Sequence, residues 1–438
     1  MRQINVRILL VIVAFVVSLP SLGLATDVGG IIDTDTTWTL ANSPYTLIDC
    51  IQIAEGITLT IEPGVVVNGE GHSIQVWGTL QAIGTDTSNI VFNNVGVHAA
   101  AGGTNPLINI QFAKCNSFTN WGHPTVAGAR GTFILRDSRV QNIGEIYPLS
   151  DSHIERNTFI KTDPYPYGIQ IYLDDPRSDC YIEKNIFIDA GGILTYLTYN
   201  VKIYIRNNVF YQQKPLPPVS YPCYAVSNWG SLGTSETIVE YNSFLSTDKI
   251  AVVLAPERDV RMIAINNYWN TTDTDVIDAM IYDRNDDLNV VNYIEYLPIL
   301  YEPHPDTPIF CFPEMKVNNS DGPITLYQND TLTITVSLNN NGITENADWW
   351  LAAVTPLFDV FFYIRDQGWT DAWMPGFQGP LFYLDSFEVL NMPVSGLPAG
   401  TYTLYFGVDT VMDGNVTWDS VYYDIVEVNI IGYSYLLQ

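Results

Sequence analysis

The chain has 438 residues, 47% hydrophobic and 15% charged, a folded composition long enough for two or three domains. Its net charge of −28 repels phosphate backbones and anionic lipid heads, so nucleic acid is excluded as a partner. An aromatic share of 13%, with 27 Tyr and 10 Trp, favours strands over helices.

Arg2 and Arg7 precede an unbroken apolar run from Ile8 to Val17, then Pro20 and the tripeptide Gly23-Leu24-Ala25. That order predicts a secretory signal peptide over residues 1–25, with export to the periplasm, the cell surface or the medium. The run is too short for a stable anchor, and no later segment is apolar for long enough to span a bilayer. Cys50, Cys115, Cys180, Cys223 and Cys311 contain no CxxC and form neither a disulfide framework nor a zinc module. Cys180 and Cys223 are the nearest pair in sequence.

Residues 57–61, 73–77 and 89–92 read as short strands broken by Pro63-Gly64, Gly78 and Gly84. One pattern then recurs: an aliphatic or small residue, two variable residues, Asn, one variable residue and an aromatic. It places Asn157, Asn185, Asn208, Asn242 and Asn267 two residues before Phe159, Phe187, Phe210, Phe244 and Trp269. Most of the intervals suit one coil of a parallel solenoid, and the long one contains residues 212–222, whose four prolines predict a protruding loop. In such a solenoid like positions stack about 4.8 Å apart, so the aromatics form a buried column and the Asn amides bond to one another along it.

These coils, with the opening segments 35–40 and 59–64 and the closing segment 267–273, resemble secreted right-handed parallel β-helix proteins of the pectin-lyase-like superfamily. The resemblance covers residues 27 to about 302 and implies a β-helix domain over 26–302. It implies no particular activity, because that fold hosts lyases, hydrolases, epimerases, adhesins and inert surface proteins. No polygalacturonase or pectate-lyase motif is matched, so it carries over no catalytic residue.

A helix is expected over residues 274–282, capped by Thr274 or Asp275, with Val276, Ile277, Met280 and Ile281 on the face that covers the solenoid end. Pro303, Pro305, Pro308 and Pro313 mark residues 303–313 as a stiff, unstructured linker. Beyond it, Leu332, Ile334, Val336 and Leu338 alternate with polar residues, and segments 401–407 and 420–426 share that character. Residues 314–438 therefore read as an immunoglobulin-like β-sandwich, and the whole chain as all-β.

Chemistry is sparse. His72, His98, His123, His153 and His304 form no HxH or HxxxH pair, which leaves zinc no evident site and makes them surface or turn residues. Asp283, Asn285 and Asp287 have the spacing that begins a calcium loop, yet Leu288 and Ile294 stand where an EF-hand needs Gly and Glu; no other cofactor is expected. Stacked coils predict an outward column Glu155, Glu183, Arg206, Glu240, Ile265, beside a second of His153, Tyr181, Tyr204, Ile238, Ile263. Aligning the third strand of each coil stacks Tyr172 on Tyr196 with Asn228 next.

Aromatics beside carboxylates and amides suit sugar rings, which makes Tyr172, Tyr196, Asn228, Tyr181, Tyr204 and Arg206 candidate contacts for a polysaccharide or cell-surface glycan. The same groups equally suit cross-rung ladders that stabilise the wall. The chain thus reads as an exported binding, adhesion or display protein, the alternative being a polysaccharide lyase or glycoside hydrolase. Glu155 and Glu183 carry that alternative, with Arg206 holding Glu183 ionised as nucleophile and Glu155 left as proton donor.

Overall fold

The computed structural model describes residues 25–99, 105–116, 131–141, 145–146, 151–160, 170–173, 179–190, 192–195, 202–211, 224–230, 236–309, 311–320, 322–340, 343–365, 367–417 and 420–432. Residues 1–24 of the expected signal peptide, His123, the loop over 212–222, Tyr196 and Cys223 lie outside them. The chain divides after Pro308 into two compact units.

The first unit is a parallel β-solenoid. Its described strands form three sheets of twelve, ten and six members, which the coils from Glu145 to Leu254 cross in turn. The ten-stranded sheet runs from Thr36–Trp38 to Arg261–Ile263 with every pair parallel, and the six-stranded sheet runs from Glu145–Ile146 to Ile281–Tyr282. Alternation decides which side chains enter the core: in Asp151–Glu155, Ser152 and Ile154 are buried while Asp151, His153 and Glu155 face outward. Strands so short find partners only above and below, so a coil is stable only between other coils.

The corner between the ten- and twelve-stranded sheets repeats with the Asn motif. Arg156, Lys184, Asn207, Tyr241 and Asn266, each just before a motif Asn, have φ of 55°, 58°, 54°, 61° and 57°. A left-handed L-residue costs about 1–2 kcal/mol, and the following Asn offsets it. Asn185 is fully buried; its Nδ2 donates to Asn208 Oδ1 at 2.9 Å and to Ile154 O at 2.8 Å, while its Oδ1 accepts from the N–H of Asn157 at 2.9 Å. Like bonds join Asn157 to Asn185, Asn208 to Asn242 and Asn242 to Asn267 at 3.0, 3.0 and 3.1 Å. One coil earlier the N–H of Ser138 donates to Asn157 Oδ1 at 3.0 Å. Two residues on, Phe159, Phe187, Phe210, Phe244 and Trp269 stack at centroid separations of 4.8, 4.8, 5.3 and 4.7 Å. Both inner columns are those expected from the motif.

At the carboxyl end of the solenoid the helix is shorter than expected, Thr274–Ala279, and its cap is Asp273, which accepts from the N–H of Asp275 at 3.0 Å. Asp wins because its carboxylate lies one residue before the first helical turn, where orphan N–H groups point. Ile277 and Met280 are buried, and Ile281–Tyr282 joins the six-stranded sheet. The proline-rich segment is not the free link that its composition suggests. His304 packs on the Tyr241 ring at 4.7 Å and contacts Asn207 Nδ2 through Nδ1 at 3.0 Å, and buried Thr307 donates to Tyr241 O at 2.8 Å. Residues 304–307 thereby close one flank of the last coils.

The second unit is a β-sandwich. Phe312–Val317, Thr331–Asn339 and Leu384–Pro393 form one antiparallel sheet; Asn346–Val354, Gly400–Asp409 and Val421–Ile431 form the heart of the other. Met315, Ile334 and Val336 from the first share one core with Leu404, Phe406 and Val426 from the second. The first strand begins at Phe312, so Pro313 belongs to the sandwich and not to a linker.

Candidate functional site

On the outer face of the ten-stranded sheet, the strands Thr132–Arg136, Asp151–Glu155, Cys180–Glu183, Lys202–Arg206 and Glu236–Glu240 stack in register. Ile134, His153, Tyr181, Tyr204, Ile238 and Ile263 form one outward column, and Arg136, Glu155, Glu183, Arg206 and Glu240 the next. Ile265, expected at the end of the second column, lies outside the last strand, Arg261–Ile263.

The aromatic column is a face-to-face ladder: His153 on Tyr181 at 5.5 Å and 4°, then Tyr181 on Tyr204 at 5.1 Å and 10°. The Arg206 guanidinium carbon lies 4.4 Å over the Tyr204 ring. Rings stacked this way use their faces on one another, so what they present to solvent is edges and hydroxyls. A ligand on this wall meets a polar rail backed by aromatic edges.

Glu155 and Glu183 are direct partners across adjacent coils, which sets their strands about 4.8 Å apart. Their charged neighbours are not those expected from the sequence. Arg206 Nη2 forms its ion pair with Glu240, at 3.1 Å, and not with Glu183, which it reaches only through its charge. Glu155 instead receives two guanidinium groups, Arg136 Nη2 at 3.0 Å and Arg156 Nη1 at 3.1 Å, with His153 Nδ1 at 3.6 Å. Arg156 is itself anchored on Asp137 at 2.7 Å, which holds its pKa above the ordinary value. Glu183 has no ion pair among the described residues, and desolvation followed by the charge of Glu155 pushes its carboxyl above the usual carboxylate range. The two carboxylates are therefore made unlike by their surroundings: Glu155 is ion-paired with two guanidinium groups, and Glu183 is the better proton carrier.

The third strand does not stack as expected. Tyr172 pairs with Leu194, and Leu173 pairs with Thr195, which pairs with Asn228. Tyr172 thus lies one position off the Asn228 row. Asn228 and Thr195 are fully buried, and Asn228 Nδ2 donates to Thr237 Oγ1 at 3.0 Å, so it is a core residue and no ligand contact. Among the described residues, no side-chain ladder anchors register in this sheet as the Asn motif does at the corner.

The acidic loop at 283–287 is held by its own bonds. Buried Asp283 accepts the N–H of Asn285 at 2.7 Å on one oxygen and that of Ile294 at 2.8 Å on the other, and Asp287 accepts from Asn289 N at 2.9 Å and from Tyr282 Oη at 3.2 Å. Those lone pairs are turned to N–H and O–H donors and do not converge on a cation. Among the described residues, the group whose donor atoms do converge is Asp49, Cys50 and His72, within 4.8 Å of one another. No HxH spacing marks it; its signal is that Cys50 and His72 stand about one coil apart. In the sandwich, Leu332, Phe361, Trp369, Leu390, Met392 and Leu404 help line an apolar cavity of about 380 Å³.

Residues 64–244 match the family model for the right-handed beta helix region, which spans the four coils from Asn157 to Asn242 and both outward columns as far as Glu240. Protein bark beetle of Drosophila melanogaster is 40% identical to the chain over 67 residues, 15% of this chain and 2% of that protein. The chain thus spans only a small fraction of the curated relative that it matches. No solved structure matches it.

Proposed function

We propose that this right-handed β-helix repeat protein is exported and binds neutral glycans along the outer face of its ten-stranded sheet. The observation that carries the reading is the rail itself: His153, Tyr181 and Tyr204 in one line, with Glu155, Glu183 and Arg206 in the next, one pair per coil. Hydroxyls, carboxylates and a guanidinium at a regular repeat offer a sugar chain hydrogen-bond donors or acceptors at every rung. A chain of net charge −28 disfavours polyanionic glycans such as uronates, so the ligand class is neutral. Kinship with secreted pectin-lyase-like proteins belongs to the same reading, and rests on the amino-terminal sequence and the coil motif. The test is retention of the full chain on an array of neutral and acidic polysaccharides. The double variant Tyr181→Ala/Tyr204→Ala should lose at least tenfold in affinity, about 1.4 kcal/mol; equal retention by a folded double variant would overturn the proposal.

A second reading, a retaining glycoside hydrolase, is favoured by one observation: the raised Glu183 carboxyl beside an Arg-paired Glu155. Such an enzyme needs a proton donor and a nucleophile about 5 Å apart, and here Glu183 takes the first role and Glu155 the second. Glu183→Gln should then abolish release of reducing ends while binding persists. Unchanged turnover in Glu183→Gln and Glu155→Gln would remove this reading and leave the binding one standing.

A further inference from the structure

We propose that Asp49, Cys50 and His72 form a zinc site on the wall of the first coils. Two local irregularities bring them together. In Tyr45–Ile53, three residues, Ile48, Asp49 and Cys50, stand opposite the single residue Gly29 of the neighbouring strand Thr26–Ile32, because Val28 pairs with Leu47 and Gly30 with Ile51. This bulge turns all three outward, which is how bulges re-aim side chains at sites. One coil on, the strand Val66–Asn68 ends in a tight corner through Gly69, Glu70 (φ 49°) and Gly71 (φ 88°), which delivers His72 just before the strand Ser73–Val76. A Cβ on Gly69 would meet Asn94 O at 2.1 Å, so the corner depends on that glycine. Since Ile51 pairs with Ile74, the corner lies directly against the bulge.

The donor set is specific in kind. A thiolate, an imidazole and a carboxylate together suit zinc and do not suit calcium or magnesium, which take oxygen ligands. The donor atoms lie within 4.8 Å of one another, whereas bonds of zinc length to S, N and O imply separations of roughly 3.3–3.7 Å. Rotation of side chains on an outward bulge closes that difference without moving the sheet. The surroundings already resemble a metal's outer shell: the Ser73 hydroxyl donates to Cys50 Sγ at 3.6 Å, and the N–H of Cys50 donates to Asp49 Oδ1 at 2.7 Å, leaving Oδ2 for the metal. With three protein ligands, the fourth position is taken by water.

The test uses the full chain, reduced and stripped of metal, titrated with Zn²⁺ and with Co²⁺ as its spectroscopic substitute. One equivalent should bind, and Co²⁺ should show a sulfur-to-cobalt charge-transfer band that disappears in Cys50→Ser. His72→Ala and Asp49→Asn should each weaken Zn²⁺ at least about tenfold, and Ser73→Ala by about tenfold, as outer-shell losses do. All four positions lie on the surface, so far-UV circular dichroism should remain that of the parent. Absence of binding, a cobalt complex without the sulfur band, or a zinc stoichiometry unchanged in Cys50→Ser/His72→Ala would each overturn the site.

Discussion

The inner and outer walls of the same coils follow one stacking rule with opposite results. Inward, like residues stack on like: Asn on Asn, Phe on Phe, each bond repeated in the next coil and closed to water. Outward, the columns are mixed: His153 stands against Tyr181, Glu183 against Arg206 and Tyr204 against Ile238, and ion pairs form one by one, Arg136 with Glu155 and Arg206 with Glu240. Water satisfies outward groups at little cost, so the outer columns are free to vary, while an error in an inner column leaves a hole or an orphaned donor. Function on such a scaffold is therefore to be sought where the stacking is unlike.

Substitutions across the two walls rank the contrast. Phe187→Ala, at 1% exposure between rings 4.8 Å away on both sides, should destabilise by about 3–5 kcal/mol in denaturant unfolding. A loss below about 1 kcal/mol would mean that the column is not a packed unit. Asn185→Leu leaves the N–H of Asn157 and Ile154 O without partners, and should lower stability by about 2–4 kcal/mol, each orphaned group costing about 1–3. Tyr181→Ala breaks two stacked pairs on the solvent side, where an aromatic pair contributes about 0.5–1.5 kcal/mol, so a loss near 1 kcal/mol is expected. Equal losses for Tyr181→Ala and Phe187→Ala would erase the distinction between walls.

The smallest effect has the opposite sign. The folded pKa of Glu183 is raised, so folding favours its protonated form, and that contribution is fully lost once pH passes above the folded pKa. Glu183→Gln should therefore raise the melting temperature slightly at neutral pH, with the gain vanishing as pH falls below the ordinary carboxylate range. A gain that instead grows in acid would contradict the assigned cause.

The inner wall is legible in sequence because its chemistry repeats at fixed offset: Asn, then an aromatic two residues on, five times. The left-handed corner before each Asn is not legible, since Arg156, Lys184, Asn207, Tyr241 and Asn266 share no side-chain property; the Asn ladder imposes their φ from outside. Register in the six-stranded sheet escapes for the same reason in reverse, as Tyr172, Leu194 and Ser227 have no common anchor. Composition misleads at His304 and Thr307, where prolines suggest a stiff, unstructured linker and two hydrogen bonds fasten the segment to the last coils. Of the outer wall, the columns follow from coil spacing, but the different surroundings of Glu155 and Glu183 depend on which guanidinium reaches which carboxylate. Asp49, Cys50 and His72 come together through a bulge that strand patterning does not foresee.

The Asn ladder also has a direction. From Asn157 to Asn242 every amide donates toward the next coil and accepts from the one before; Ser138 opens the line and Asn267 ends it by donating to Val239 O and Ala264 O. A coil therefore carries an acceptor on one face and its matching donor on the other, and fits against a copy of itself. Tandem duplication of one interval, such as the 23 residues from Asn185 to Asn208, preserves every bond of the Asn ladder and lengthens the wall by one rung. The scaffold behaves as a ruler graduated in steps of about 4.8 Å, whose valency can be changed by adding or removing whole divisions while the two ends remain as they are.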